Sequence, residues 1–230
     1  MSQNGHAWNI KAVVFDLDGL LIDTEPIFAE ASRRMLARRQ LSFEPAVIQA
    51  MMGMPALRAL ALFREHHRLP ESVEELMKES SAVFYEVLGQ EPASLMPGVL
   101  PLIDHLEQTG IPKAIATSSS RRYVKYILAP HGIAERFGFV LTCDDVRKGK
   151  PAPEIYEKAA ERLAVPADQI LVLEDSVNGL RAAKAAGARC IVVPHATVPT
   201  DQLEDADAVI PSLADPLLLE VFEENHGWHR

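Results

Sequence analysis

Short apolar runs recur along this chain, separated by helical patterns. Ala12–Val13–Val14–Phe15, Ile115–Ala116, Phe139–Val140–Leu141, Ile170–Leu171–Val172–Leu173 and Cys190–Ile191–Val192–Val193 are too short for buried helices. Several are β-branched, and each stops at an acidic, hydroxyl or proline residue. An apolar run without alternation belongs to a strand covered on both faces, so these read as inner strands of a parallel sheet. Ala208–Val209–Ile210 ends at Pro211 and reads as an edge strand. Helical patterns occupy Pro97 to Thr109, with Gly110 as the stop, Pro153 to Leu163, and Val177 to Ala186, closed by Gly187. Strand and helix in repetition predict a doubly wound, Rossmann-like α/β fold, in which ligands bind beyond the carboxyl ends of the strands.

From about Pro26 to Gly89 no strand candidate occurs, only helix patterns separated by Pro45, Gly53–Met54–Pro55 and Leu69–Pro70. That stretch is too long for a crossover and too helical for a loop. It reads as an inserted α-helical cap subdomain over residues 22–91, with residues 1–21 and 92–230 forming the α/β catalytic core. Its position after the acidic turn of the first strand is expected to set it over the carboxyl ends of the strands.

Composition narrows the function. A formal charge of −9 leaves no basic excess to displace counterions, so nucleic acid is not expected as a partner. An anionic small molecule stays possible, because a few lysines, a metal or backbone N–H groups supply positive charge locally. Cys143 and Cys190 form no CxxC pair, Met1 to Ile10 lacks the apolar core of a signal peptide, and no run approaches the ~20 apolar residues of a membrane span. A cytoplasmic protein without a membrane partner is expected, monomeric by default.

The chemistry gathers at strand ends. Asp16-Leu17-Asp18-Gly19 closes the first strand, and a turn at Gly19 brings to one mouth two carboxylates that a straight strand would point apart. Thr117-Ser118-Ser119 closes the second, Lys150-Pro151 follows the third, and Glu174-Asp175-Ser176 closes the fourth. Singly, each is an ordinary cap, loop or turn. Together they set carboxylate, hydroxyl and ammonium groups at the ends of four successive strands, where this fold makes its pocket.

These motifs resemble those of the haloacid dehalogenase superfamily, in the subgroup with a helical cap inserted after the first motif. Asp16-Leu17-Asp18-Gly19-Leu20-Leu21 corresponds to the first motif, Ser118 to the second, Lys150 to the third and Glu174-Asp175 to the fourth. The stretches DLDGLLIDTEP, ATSSS, GKPAPEIY and LEDSVNG are similar to its sugar- and nucleotide-phosphatase branch. The resemblance implies a core strand order of 5-4-1-2-3 and a phosphatase acting on a small phosphorylated metabolite. It implies Asp16 as nucleophile, Asp18 as acid and base, and Ser118 and Lys150 as partners of the phosphoryl group. It also implies a Mg²⁺ held by Asp16, the Asp18 carbonyl and Asp175, with Glu174 acting through water. Gly19, Ser119, Arg121, Glu25, Gly53 and Met54 are the candidate substrate-binding positions.

Phosphate monoester hydrolysis can demand an acceleration of about 10²¹, or roughly 29 kcal/mol, so nucleophile, acid, metal and cation are all required. The alternative within the family is a sugar phosphomutase of the β-phosphoglucomutase type. Against it, Phe28 stands where the mutase pattern has a histidine, and Ala56 where it has a phosphate-binding arginine, although Arg121 keeps a basic residue at a matching position. A receiver-type phosphoacceptor domain is disfavoured by the DxDG and the long insertion, and a P-loop kinase by the lack of GxxxxGK[ST]. His66-His67 reads as a surface pair without nearby metal-ligand partners.

Overall fold

The computed structural model describes residues 8–51, 54, 56–195 and 198–223. The chain divides into two compact units, Met1–Ile22 with Leu95–Arg230, and Asp23–Ser94.

The first unit is built on a six-stranded parallel sheet. Its strands are β1 (Ala12–Phe15), β4 (Lys113–Ala116), β5 (Val140–Leu141), β6 (Ile170–Glu174), β7 (Arg189–Val192) and β8 (Ala208–Val209), in the order β5-β4-β1-β6-β7-β8. The central strand β1 pairs with β4 on one side and β6 on the other, with Val14 opposite both Ala114 and Val172. The expected core order is therefore present, with β8 added at the edge beside β7. Every residue of β1 and β6 is buried, as continuous apolar runs without polar alternation require.

Period two along the strands assigns the faces. Ala12 and Val14 of β1, Ile170 and Val172 of β6, and Cys190 and Val192 of β7 share one core cluster. Its helical side comes from Ile155, Tyr156 and Ala159 of α7 (Glu154–Leu163) and Leu180, Ala182 and Ala183 of α8 (Val177–Ala185). Phe15, one residue out of phase with Val14, meets Phe137 edge-on with ring centroids 5.6 Å apart. Each such aliphatic or aromatic burial stabilises the sheet by about 1.5–3 kcal/mol. The crossovers α5 (Val99–Gln108) and α6 (Arg121–Leu128) flank β4, and α9 (Pro216–Glu223) follows β8. As the sequence predicts, glycines in the left-handed region follow α5 and α8, Gly110 at φ 69° and Gly187 at φ 81°.

The second unit is helical: α1 (Glu25–Ala37), α2 (Pro45–Met51), α3 (Ala56–His67) and α4 (Val73–Gln90). Ile27, Ala31 and Met35 recur every four residues as the buried stripe of α1, and α4 answers with Leu76, Val83, Phe84, Val87 and Leu88. A capping box starts α4: the Glu75 N–H donates to Ser72 Oγ (3.2 Å) and the Ser72 N–H to Glu75 Oε2 (2.8 Å). Pro45 stands at the boundary between α1 and α2, as expected, and itself opens α2, because the first helical position has no intrahelical use for an N–H. Where the chain crosses between units, β2 (Ile22–Asp23) and β3 (Ser94–Leu95) pair as a two-stranded ribbon that hydrophobic patterning does not reveal. Among the described residues, no helix is long and apolar enough to cross a membrane.

Candidate active site

Asp16 follows the last residue of β1 and is still on the ladder, its N–H donating to the Leu173 carbonyl at 3.0 Å. The chain then turns. The N–H groups of Leu21 and Ile22 both donate to the Leu17 carbonyl (3.0 Å), the Gly19 N–H donates to Ile22 O (2.9 Å), and Gly19 takes φ 79°. A second constraint falls on Gly19, since a Cβ there would lie 2.4 Å from Asp175 Oδ2. The turn and the approach of the β6 tip therefore both require glycine.

Lys150 reaches this point from the loop after β5. Its side chain is 4% exposed, and all three ammonium hydrogens have acceptors: Asp16 Oδ1 (2.5 Å), Glu174 Oε1 (2.5 Å) and the Ala116 carbonyl (2.9 Å). Its nitrogen also lies 5.0 Å from the centroid of the Tyr156 ring. Burial pulls the Lys150 pKa down, the facing carboxylates of Asp16 and Glu174 push it up, and the net direction is upward.

The two carboxylates on Lys150 are not equivalent. Glu174, fully buried at the end of β6, also accepts from Tyr156 OH (2.6 Å), Ser176 Oγ (3.0 Å) and the N–H groups of Asp175 (3.1 Å) and Ser176 (3.3 Å). Burial opposes its ionisation, but Lys150 and these donors hold its pKa below the ordinary value. Among the described residues, Asp16 has only Lys150 as a side-chain donor; burial and the neighbouring Glu174 and Asp18 outweigh it and raise the Asp16 pKa to about 7. Charge therefore localises on Glu174, where the donors are.

Asp18 is raised by burial too, against hydrogen bonds that favour its charged form. It accepts from Ser119 Oγ (2.6 Å), from the Tyr123 hydroxyl and, at the 3.5 Å limit, from Thr117 Oγ1. Asp175, on the residue after β6, is raised well above the usual carboxylate range by burial and then by Asp16 and Glu174. One oxygen from each of Asp16, Glu174 and Asp175 lies within 4.8 Å of the others. Four carboxylates thus face one ammonium, an oxygen-only donor set with negative charge in excess. That is the environment a hard divalent cation such as Mg²⁺ suits.

The residues named from sequence at the strand tips, Asp16, Asp18, Gly19, Ser119, Lys150, Glu174 and Asp175, are joined by these contacts. Ser118 is exposed beside them at the end of β4. Arg121 instead donates its N–H to Asp144 (2.9 Å) and pairs its guanidinium with Asp145 (2.5 Å). Glu25 opens α1 and Met54 is half-buried, both in the helical unit, and Gly53 lies outside the described residues.

Two tyrosines escaped the sequence reading. Tyr123 sits in the first turn of α6, capped by Ser120, and Tyr156 on the buried face of α7. A tyrosine on an apolar helix stripe needs a partner for its hydroxyl, and that was the available signal. Gly179, which closes the LEDSVNG stretch, has a tighter role than the motif alone conveys. In the first turn of α8 it lies against Glu174, and a Cβ there would stand 1.8 Å from the Glu174 carboxyl carbon.

Comparison with known proteins agrees with this geometry. A family model of haloacid dehalogenase-like hydrolases matches residues 10–187. The chain is 35% identical over 208 residues to a bifunctional riboflavin kinase/FMN phosphatase of Arabidopsis thaliana, with 89% of the chain aligned, and spans about half (54%) of that protein's length. It is 34% identical to validoxylamine A 7'-phosphate phosphatase of Streptomyces hygroscopicus subsp. limoneus, covering 89% of this chain and 95% of that one. Among solved structures, CbbY from Rhodobacter sphaeroides in complex with phosphate superposes with a TM-score of 0.74 at 30% identity, over 90% of this chain and 96% of that one. With strand order, motif residues and sequence in agreement, the chain belongs to the haloacid dehalogenase-like hydrolases.

Proposed function

We propose that this protein is a Mg²⁺-dependent phosphatase that hydrolyses a small phosphorylated metabolite, a sugar phosphate or nucleotide-derived monophosphate, through an aspartyl-phosphate on Asp16. The carrying observation is the buried Lys150, whose ammonium joins Asp16 to Glu174 while Asp18 and Asp175 crowd the same tips. FMN phosphatase and validoxylamine A 7'-phosphate phosphatase support the substrate class, since both names describe phosphate esters of small molecules.

In the first step a carboxylate oxygen of Asp16 bonds to phosphorus as the ester P–O bond breaks, and Asp18 gives its proton to the departing oxygen. The upward shift at Asp18 fits a group that must carry that proton near neutrality. In the second step Asp18 takes a proton from water, the resulting hydroxide attacks phosphorus, and phosphate and the Asp16 carboxylate are released. Lys150 offsets charge as Asp16 and the phosphoryl group meet, and the Ser118 hydroxyl is free to donate to a phosphoryl oxygen.

The carboxylates of Asp16 and Asp175, with the main-chain carbonyl of Asp18, would hold Mg²⁺, which supplies Lewis-acid neutralisation of phosphoryl charge. Both oxygens of Glu174 are already committed, so Glu174 acts by fixing Lys150. Ala56, the first residue of α3, carries no charge where the mutase pattern has a phosphate-binding arginine, which favours hydrolysis over a mutase that must hold a second phosphate. Two free cysteines, Cys143 and Cys190, support a cytoplasmic setting.

The test is phosphate release from a panel of sugar phosphates and nucleoside monophosphates with Mg²⁺ or with chelator. Asp16→Asn should abolish turnover while leaving the folded state intact by circular dichroism. Turnover by Asp16→Asn near the wild-type rate would overturn the assignment.

A further inference from the structure

The helical unit carries a second group of potential metal ligands, unconnected with the reaction above. His66 and His67 are the last two residues of α3, and Glu44 immediately precedes Pro45 at the start of α2. Glu44 Oε2 lies 3.2 Å from His66 Nε2. One ligand atom from each of Glu44, His66 and His67 lies within 4.8 Å of the other two. We propose that Glu44, His66 and His67 form a binding site for a borderline transition-metal dication of the Zn²⁺ class, fastening the start of α2 to the end of α3.

Three features carry this. The donor set is two imidazoles and one carboxylate, which suits Zn²⁺, Ni²⁺ or Cu²⁺ and not Mg²⁺ or Ca²⁺. Neighbouring residues on a regular helix diverge by about 100°, but here the helix ends: Arg68 takes φ 52°, and the two rings stand edge to face with centroids 4.8 Å apart. The Phe63 ring also packs edge to face with His67, their centroids 4.9 Å apart. Last, Nε2 of His67 is shielded from solvent and has no hydrogen-bond partner among the described residues. Such an atom costs about 1–3 kcal/mol when nothing satisfies it.

The required movement is small. Bonds of about 2.0–2.1 Å in tetrahedral array set ligand atoms roughly 3.3 Å apart. The Glu44–His66 spacing already meets this, and no separation has to close by more than about 1.5 Å. Side-chain rotation can supply that, because Glu44 and His66 are 51% and 40% exposed. Three protein ligands leave a fourth position for water.

The experiment is calorimetric titration of the full chain with Zn²⁺ under saturating Mg²⁺, repeated with Co²⁺ to read coordination from its visible absorption. The variants are Glu44→Gln, His66→Gln and, as a control against binding at the strand-tip carboxylates, Asp175→Asn. One equivalent should bind to wild type and to Asp175→Asn, with affinity falling at least tenfold in Glu44→Gln and His66→Gln. Zn²⁺ should raise the melting temperature of wild type but not of His66→Gln. Both substitutions fall on exposed side chains, and circular dichroism checks that the variants are folded. Equal affinity in wild type and His66→Gln, loss of binding in Asp175→Asn alone, or no binding to wild type would each overturn the proposal.

Discussion

Replacing Gly179 with alanine sets two expectations against each other. Helix propensity favours the change by up to about 1 kcal/mol, because α8 would gain a good helix former. The contact with Glu174 opposes it. The new Cβ would lie 1.8 Å from the Glu174 carboxyl carbon and 1.9 and 2.1 Å from its oxygens, whereas ordinary contact begins at 3.4 Å. A retreat of about 1.6 Å follows from that difference, and a carboxylate displaced so far cannot keep all five of its hydrogen bonds. Those at risk include Lys150 at 2.5 Å and Tyr156 at 2.6 Å. Overpacking costs about 1–3 kcal/mol and a buried charge losing its partner about 3–5. With partial relaxation, a net loss of about 2–4 kcal/mol is expected, or a melting temperature roughly 5–15 °C lower for a chain of this size. Turnover should fall with it, because Lys150 loses the group that fixes it beside Asp16. Calorimetry and steady-state phosphate release measure both. Adding Glu174→Asp, shorter by one methylene, should recover part of the lost stability. A Gly179→Ala protein as stable and as active as wild type would refute the steric argument.

Three further outcomes are expected. Gly19→Ala, which meets both the positive φ and the 2.4 Å approach to Asp175 Oδ2, should weaken Mg²⁺ binding at least tenfold by calorimetry; unchanged affinity would mean the turn and Asp175 are not coupled. With the Asp16 pKa raised to about 7 in the metal-free protein, protons compete with Mg²⁺ below that value. With Asp175 raised as well, Mg²⁺ affinity should then rise by about tenfold or more per pH unit up to neutrality, and a dissociation constant flat between pH 5.5 and 8.5 would count against it. Tyr123→Phe removes a donor that favours ionised Asp18, so the pH–rate limb belonging to Asp18 should move to higher pH, read from kcat profiles; a limb that stays in place would show that Tyr123 only packs.

How much could be read in the sequence depended on the range of the interaction. Val13–Val14–Phe15 and Leu171–Val172–Leu173 were legible because a strand buried on both faces writes its environment into consecutive residues. The tips were legible because carboxylate, hydroxyl and ammonium motifs follow four successive strands in order, although each alone reads as a cap, loop or turn. Pro45 was legible as a helix boundary, because proline breaks a helix from within yet costs nothing at its first position. Tyr123 and Tyr156 could not be paired with Asp18 and Glu174 in advance, since a hydroxyl partner 105 or 18 residues away leaves no periodicity. His66 and His67 likewise showed no companion along the chain, because Glu44 is brought to them by the packing of α2 against α3.

The three acceptors of Lys150 lie at the tips of three adjoining strands: Ala116 on β4, Asp16 past β1 and Glu174 on β6. A single ammonium therefore works as a rivet through the mouth of the sheet, and the spacing of those tips is gauged by a residue belonging to none of them. Neutralising that nitrogen, for instance by acylation, would do more than remove a charge. It would let neighbouring strands splay where the reacting atoms must stay aligned, so the sheet's rigidity and the enzyme's competence hang from the same three hydrogens.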